Sequence, residues 1–191
     1  PYTLTDDDVE VTNGTITSCS YSFEITDIII PDTLDDQVIT GIADASSGSG
    51  IFNYKKITSV QLPANLEFIG NYAFYYNSIY TIKFTGTKLE TIGNYAFYLN
   101  KLDSLDCSQL NSLVSIGTNA FESNSITNLD LSTCTNLSSI GNSAFNNNSI
   151  VSLDLLSCKN LSSIGNNAFT WNNINDLNLS ECTSLIFIGS N

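Results

Sequence analysis

Along most of this chain the apolar residues fall into two spacings that alternate. In the first, an apolar residue is followed by others three and five positions on. This describes Ile79, Ile82 and Phe84; Leu102, Leu105 and Cys107; Ile126, Leu129 and Leu131; Ile150, Leu153 and Leu155; and Ile174, Leu177 and Leu179. The period-two end of each group predicts a short strand with its apolar side chains inward and the residues between them outward. The second spacing is Ile-Gly-x-x-Ala-Phe-x-x-Asn. Its Ile-Gly pairs begin at Ile69, Ile92, Ile116, Ile140, Ile164 and Ile188, in steps of 23, 24, 24, 24 and 24 residues. A fixed period in this range marks a solenoid with one coil per repeat. The pattern predicts a β-rich, right-handed superhelix whose strands form a parallel sheet, with rungs about 4.8 Å apart.

Stacking assigns a role to each column. Phe74, Phe97, Phe121, Phe145 and Phe169, each preceded by Ala, should form a spine opposite the sheet. The repeated glycine reads as a turn residue at positive φ. Asn77, Asn100, Asn124, Asn148 and Asn172 lie between apolar columns and should be buried. Buried amides must find partners, and an amide both donates and accepts, so this column is expected to bond the backbone of adjacent coils. Ligand contact is the other role open to it. Cys134, Cys158 and Cys182 again lie 24 apart and read as small side chains packed against the next coil. Cys19 and Cys107 lie outside that column. There is no His and no C-x-x-C pair, which argues against a metal or redox site. Distance alone leaves a disulfide between neighbouring coils open.

Residues 1–24 do not fit the repeat. Val9-Glu10-Val11-Thr12 and Thr15-Ile16 flank Asn13-Gly14, a strong two-residue turn signal, and predict a β-hairpin that caps the first coil. The solenoid is expected over residues 25–191. Residues 38–69 form a degenerate coil in which Ile51-Phe52 stands for Ala-Phe and Lys55 replaces the asparagine. Ser46-Ser47-Gly48-Ser49-Gly50 reads as a flexible bulge. The chain contains no Met, begins at Pro1 and stops at Ile188-Gly189-Ser190-Asn191, where Ala-Phe would come next. It therefore reads as an excised or mature segment, truncated at its C-terminal end.

The block Ile57-x-x-Val60-x-Leu62-Pro63-x-x-Leu66-x-x-Ile69-Gly70-x-x-Ala73-Phe74 resembles the BspA-like, or Treponema pallidum-type, leucine-rich repeat. The resemblance covers roughly residues 25–191. It departs from the family at the Asn77 column, where cysteine is common, and in keeping the proline after the strand only at Pro31 and Pro63. The resemblance implies a leucine-rich repeat solenoid from a bacterial or protist surface protein, extracellular or cell-surface in location. Some relatives attach to host matrix proteins or to other microbes.

Composition narrows the partners. Nineteen acidic and six basic residues give a net charge of -13. Nucleic acid and anionic membrane surfaces both call for cationic groups and are poor partners. No stretch approaches the roughly 20 apolar residues of a transmembrane helix, so this segment does not insert directly. Catalysis is not expected: the chain lacks His for general base work, a G-x-S-x-G nucleophile turn and a phosphate-cradling loop. No cofactor or metal is expected, because neither the repeats nor Asp6-Asp7-Asp8 has the alternating oxygen ligands and glycine of a calcium loop. The acidic run reads as a solvated segment.

Two surfaces remain as candidates for partner contact. The central outward column of the sheet reads Gln61, Lys83, Asp106, Asp130, Asp154, Asn178. Three aspartates on successive rungs repel one another, so either a basic partner uses them or they are solvated surface. Ser104, Asn128, Ser152 and Asp176 flank them on one side; Ser108, Ser132, Leu156 and Ser180 flank them on the other. The second surface gathers Tyr72, Tyr75, Tyr76, Tyr80, Tyr95 and Tyr98 near the Ala-Phe turns, with Trp171 in the Tyr76 column. Such aromatics suit a protein or glycan interface, or simply pack. Function thus divides between an adhesin-like binding module and a passive stalk that spaces other domains.

Overall fold

The computed structural model describes residues 1–48 and 50–190. Ser49, in the serine-glycine insertion, and Asn191 lie outside the described residues. The chain winds as a β-solenoid of about eight coils, with two short strands in most of them.

The expected strands form along one side. Among the described residues they make two four-stranded parallel sheets. One comprises Tyr2–Thr3, Asp27–Ile29, Ser59–Leu62 and Thr81–Phe84; the other comprises Ser104–Leu105, Asn128–Asp130, Ser152–Asp154 and Asp176–Asn178. The break falls where the loop after the strand gains a residue, from eight positions between Phe84 and Ile92 to nine between Cys107 and Ile116. A second, nine-stranded sheet was not anticipated. It is built from the Ile-Gly corners, as two-residue strands such as Thr91–Ile92, Ser115–Ile116 and Ser139–Ile140 pair in parallel.

The glycines explain how such short strands pair, and here the reading of positive φ is corrected. Gly14, in the hairpin turn, is the glycine with positive φ among the described residues. At the repeat glycines the constraint is close approach. A Cβ on Gly141 would lie 2.5 Å from the Thr118 nitrogen and 2.6 Å from the Gly117 carbonyl carbon. Each Gly amide donates across the gap to the Ile carbonyl of the preceding coil, as Gly93 does to Ile69 at 2.8 Å. The left-handed turns fall instead on side-chain-bearing residues: Tyr72, Tyr95, Asn119, Ser143 and Asn167, then Tyr76, Leu99, Ser123, Asn147 and Trp171. Such residues carry about 1–2 kcal/mol of strain each, which surrounding bonds must offset.

Two asparagine ladders supply those bonds. Asn148 Nδ2 donates to the Phe121 carbonyl of the preceding coil at 2.9 Å and to its own Phe145 carbonyl at 3.1 Å. Its Oδ1 accepts the Ile126 amide at 3.0 Å. Asn77, Asn124 and Asn172 repeat the same three bonds, and Asn100 repeats the two between coils. A second ladder follows the glycine: the side-chain oxygens of Asp44, Asn71, Asn94, Asn142 and Asn166 accept the amides of Asn71, Asn94, Thr118, Asn166 and Ser190, at 2.7–2.9 Å.

Phenylalanine fills the core beneath these turns. Phe52, Phe74, Phe97, Phe121, Phe145 and Phe169 stack with centroids 5.1–5.4 Å apart and planes within 7°. At the N-terminal end the file turns edgewise: Phe23 meets Phe52 at 86°, and Tyr21 and Tyr2 follow. Lys55, in the asparagine column, places its ammonium 5.6 Å from the Phe23 centroid.

Residues 1–24 carry the hairpin expected at Asn13-Gly14, with Val9–Thr12 antiparallel to Thr15–Cys19. They also add rungs to both sheets: Tyr2–Thr3 pairs in parallel with Asp27–Ile29, and Thr15–Cys19 with Gly41–Ile42. Asp6–Asp8 is a 3-10 turn, not a merely solvated run. Asp8 accepts from the Thr5 amide at 2.8 Å and the Tyr2 hydroxyl at 2.9 Å, and Asp6 accepts the Asp35 amide at 2.7 Å. At the opposite end Ile186 and Phe187 are exposed, and Leu177 and Ile188 are exposed at the lining of a cavity of about 560 Å³.

Two substitutions test this stacking. Gly141→Ala should destabilise by about 1–3 kcal/mol through overpacking against Thr118, measured by urea unfolding, whereas Ser143→Gly, which relieves a left-handed residue, should not. Equal losses would mean that φ, not approach, governs the glycine. Asn148→Ala strands the Ile126 amide and should cost about 1–3 kcal/mol with a lower Tm; an unchanged Tm contradicts the clamp.

Candidate functional site

The acidic column is held in place by the strands beneath it. Asp130 pairs in register with Asp154, and Asp154 with Asn178; Asp106 follows Leu105, which pairs with Leu129. All four side chains are exposed. Asp130, Asp154 and Asn178 each end a strand, and Asp106 directly follows one. Asp106 Oδ1 accepts the Ser108 amide at 2.9 Å, Asp130 the Ser132 amide at 2.8 Å, Asp154 the Leu156 amide at 2.9 Å and Asn178 the Ser180 amide at 2.9 Å. These bonds to a residue two positions on form Asx turns. They give the column a local reason to exist beside any partner.

Hydrogen bonding also favours the charged form of Asp106 and Asp130. The Ser108 amide and then its hydroxyl hold the Asp106 carboxyl below the usual carboxylate range; the Ser132 hydroxyl and then its amide do the same for Asp130. Basic residues do not offset this charge. Lys83 sits in the column but bonds Gln61 at 3.0 Å. Among the described residues the one ion pair is Pro1 with Asp27, at 3.5 Å. Two shallow depressions lie between the acids. One of about 280 Å³ is lined by Asp106, Asp130, Cys107 and Thr133, and one of about 410 Å³ by Asp130, Asp154, Asp176 and Asn178.

The tyrosines form a ladder of their own. Tyr72 stacks on Tyr95 at 4.8 Å and 5°, and Tyr75 on Tyr98 at 5.3 Å and 7°. Edge contacts at 5.4 and 5.5 Å join Tyr72 to Tyr75 and Tyr95 to Tyr98. Tyr76 leans on Tyr54 at 5.0 Å. Tyr54 went unremarked in the sequence, although it shares the Tyr76 column. Tyr80 makes no ring contact with this group among the described residues and stands before the strand Thr81–Phe84. Trp171 is 77% exposed and lies in the last turns, away from the tyrosines. Burial, with the Tyr54 hydroxyl adding to it, pushes the Tyr75 phenol up to about 12. Burial also raises Tyr95 and Tyr98.

Cys134, Cys158 and Cys182 are buried in register and unbridged, as are Cys107 and the half-buried Cys19. The Cys158 and Cys182 thiols donate to the Leu131 and Leu155 carbonyls of the preceding coils, both at 3.4 Å. Among the described residues no cluster of three metal-ligating side chains forms, and no helix is long and apolar enough to cross a membrane.

Residues 45–175 match the model of the BspA type leucine rich repeat region in six copies. No curated protein sequence matches the chain. Among solved structures, a leucine rich cell surface protein of Faecalibacterium prausnitzii is 21% identical, with a TM-score of 0.50, and the match covers 98% of this chain and 52% of that one. The leucine rich repeat protein of T. pallidum is 18% identical at a TM-score of 0.47, covering 92% and 73%. The functional domain of InlJ from Listeria monocytogenes, which includes a cysteine ladder, is 15% identical at 0.40, covering 91% and 46%. The chain thus spans about half the length of the Faecalibacterium protein. The first of these likenesses supports the solenoid fold, at an identity too low to carry function.

The Asx turns predict a distinctive acid response. An unfolded aspartate titrates near 3.9, and Asp106 and Asp130 sit below their usual value when folded. Their contribution is therefore complete above about pH 4 and is lost as pH falls through the lowered folded values. Asp130→Asn, which mimics Asn178, should retain or raise Tm at pH 7 and flatten this acid loss; Asp130→Ala should lower Tm. Equal effects of the two, followed by thermal melts across pH, would rule out the turn bond.

Proposed function

The chain belongs to the BspA type leucine-rich repeat family, and from that premise we propose that it is a non-catalytic protein-binding module of a bacterial surface or secreted protein, adhesin-like in action. Its partner presents lysine or arginine to the acidic sheet face. The observation that carries this reading is the exposed column Asp106, Asp130 and Asp154, whose carboxylates form no ion pair among the described residues. Each spends Oδ1 on its Asx turn and remains an exposed side chain. The depressions between them have room for the tip of a basic side chain. A rigid parallel sheet holds the acids at rung spacing, about 4.8 Å, so binding orders little protein. Opposite charge of this kind steers encounter and selects partners.

The tyrosine ladder supports a glycan less well. Sugar rings pack against open aromatic faces, and here Tyr72 with Tyr95 and Tyr75 with Tyr98 cover one another's faces. The hydroxyls and edges remain, which suit a secondary contact with a protein.

The test is selection of phage-displayed random peptides on the immobilised segment, against the variant Asp106→Asn/Asp130→Asn/Asp154→Asn. That variant keeps the acceptor of each turn and removes the charge. Selected peptides should be rich in Lys and Arg. They should bind the variant at least about tenfold more weakly, and raised salt should weaken them too. Peptides without basic residues, or equal binding by the variant, would overturn the acidic face; no enrichment at all would favour the passive stalk.

A further inference from the structure

The left-handed turns set one exposed pair of phenols next to each other on neighbouring coils. Tyr54 and Tyr76 share a column, and both have positive φ, at 57° and 54°. They are 49% and 52% exposed, with ring centroids 5.0 Å apart and planes 32° from parallel. The backbone beside the pair is pinned. The Tyr54 amide donates to the Tyr75 carbonyl at 3.1 Å, and the Lys55 amide donates to Asn77 Oδ1 at 3.0 Å. Both bonds cross from one coil to the next, so the two rings stay within reach of each other, as an intramolecular reaction requires.

The other close tyrosine pairs are packed differently. Tyr72 on Tyr95, Tyr75 on Tyr98 and Tyr2 on Tyr21 lie face to face, with planes within 7°, and all six residues are half-buried. The Tyr2 hydroxyl is bonded to Asp8, and the Tyr21 hydroxyl accepts the Ile25 amide. We propose that Tyr54 and Tyr76 form an oxidative cross-linking site, at which hydrogen peroxide, used one electron at a time by a haem peroxidase, joins the two rings into a dityrosine staple. The staple ties the degenerate coil to the first regular one.

The reaction balances with peroxide as the oxidant. The peroxidase takes one electron from each phenol, and each phenol releases its proton. The two phenoxyl radicals form a carbon–carbon bond between ring positions next to the oxygens. The hydrogen on each bonded carbon then moves, through water, to the ring oxygen and restores both phenols. Two C–H bonds are replaced by one C–C bond, and the two electrons and two protons reduce one peroxide to two waters. The product holds its rings edge to edge. An exposed, tilted pair can turn to that arrangement. Face-to-face pairs set into the turns must first slide apart, which close packing resists. The new bond closes the chain from Tyr54 to Tyr76 and so restricts the unfolded chain.

The experiment treats the dilute folded chain with a haem peroxidase and limiting hydrogen peroxide. Dityrosine fluorescence, mobility on a denaturing gel and peptide masses are then followed. The product should run as a monomer. Its digest should contain Tyr54 joined to Tyr76, in a peptide lighter by two hydrogens than the sum of its parts, and its Tm should exceed that of the untreated protein. Tyr54→Phe keeps the ring and should fold, but should lose the joined peptide and most of the fluorescence; Tyr72→Phe should keep both. Absence of dityrosine, a dominant bond within Tyr72–Tyr95, Tyr75–Tyr98 or Tyr54–Tyr75, bonds only between chains, or a full yield from Tyr54→Phe would overturn the site. A Tm that the bond leaves unchanged would overturn its role as a staple.

Discussion

The amide of one asparagine per coil, buried at Asn77, Asn100 and Asn148 and half-buried at Asn124 and Asn172, sets the terms for the rest of the structure. On the two sheet sides, strands satisfy their own backbone groups. At the Ala-Phe turn the chain doubles back through left-handed residues, and no regular ladder reaches all of its donors and acceptors. Asn100 shows the solution: Oδ1 takes the Ile79 amide at 3.0 Å while Nδ2 holds the Phe74 carbonyl at 3.0 Å, both in the coil before. An unsatisfied buried amide or carbonyl costs about 1–3 kcal/mol, so each clamp locks the register of two coils. Register in turn lets the phenylalanines stack and makes glycine obligatory where the Ile-Gly corners touch.

Register also makes the surface. A one-residue slip between coils would scatter the aspartates; held in file, they stand on successive rungs. Their Asx turns end each strand at the same point, so the loops after Asp106, Asp130 and Asp154 leave the sheet alike. The same stacking brings the Thr133 hydroxyl onto the Cys107 carbonyl of the preceding coil. Surface chemistry here is a product of the repeat, and small departures from the repeat mark where the chain is specialised. Cys107 in a leucine column is one such departure and Lys83 in an aspartate column is another.

Much of this was legible in the residues themselves. The period revealed the coils, the alternation revealed the strands, and Phe74 through Phe169 announced their own stack. Asn77 through Asn172 could be placed because a polar residue flanked by apolar columns has to be bonded. What stayed hidden depends on distances between backbones. The repeat glycines looked like turn formers, since a sequence does not tell positive φ from close approach. The second sheet hid for the same reason: two-residue strands carry no periodicity. The ladder of Asn71, Asn94, Asn142 and Asn166 was visible as a column, but asparagine beside glycine reads equally well as a loop. Tyr54 belonged to a degenerate coil whose alignment was weaker. The aspartates could be ranked as repulsive, yet their turn bonds lie within single loops and leave no trace in the spacing between coils. Whether they meet a partner is a property of a second molecule.

Native-state amide hydrogen exchange tests the clamp most directly. The amides of Ile79, Leu102, Ile126 and Ile150 face asparagine oxygens at 2.9–3.0 Å, and should exchange only with global unfolding. The Ile174 amide lies beyond the last clamp, with no acceptor among the described residues, and should exchange rapidly. Exchange of all five at the rate of an open loop would contradict the account.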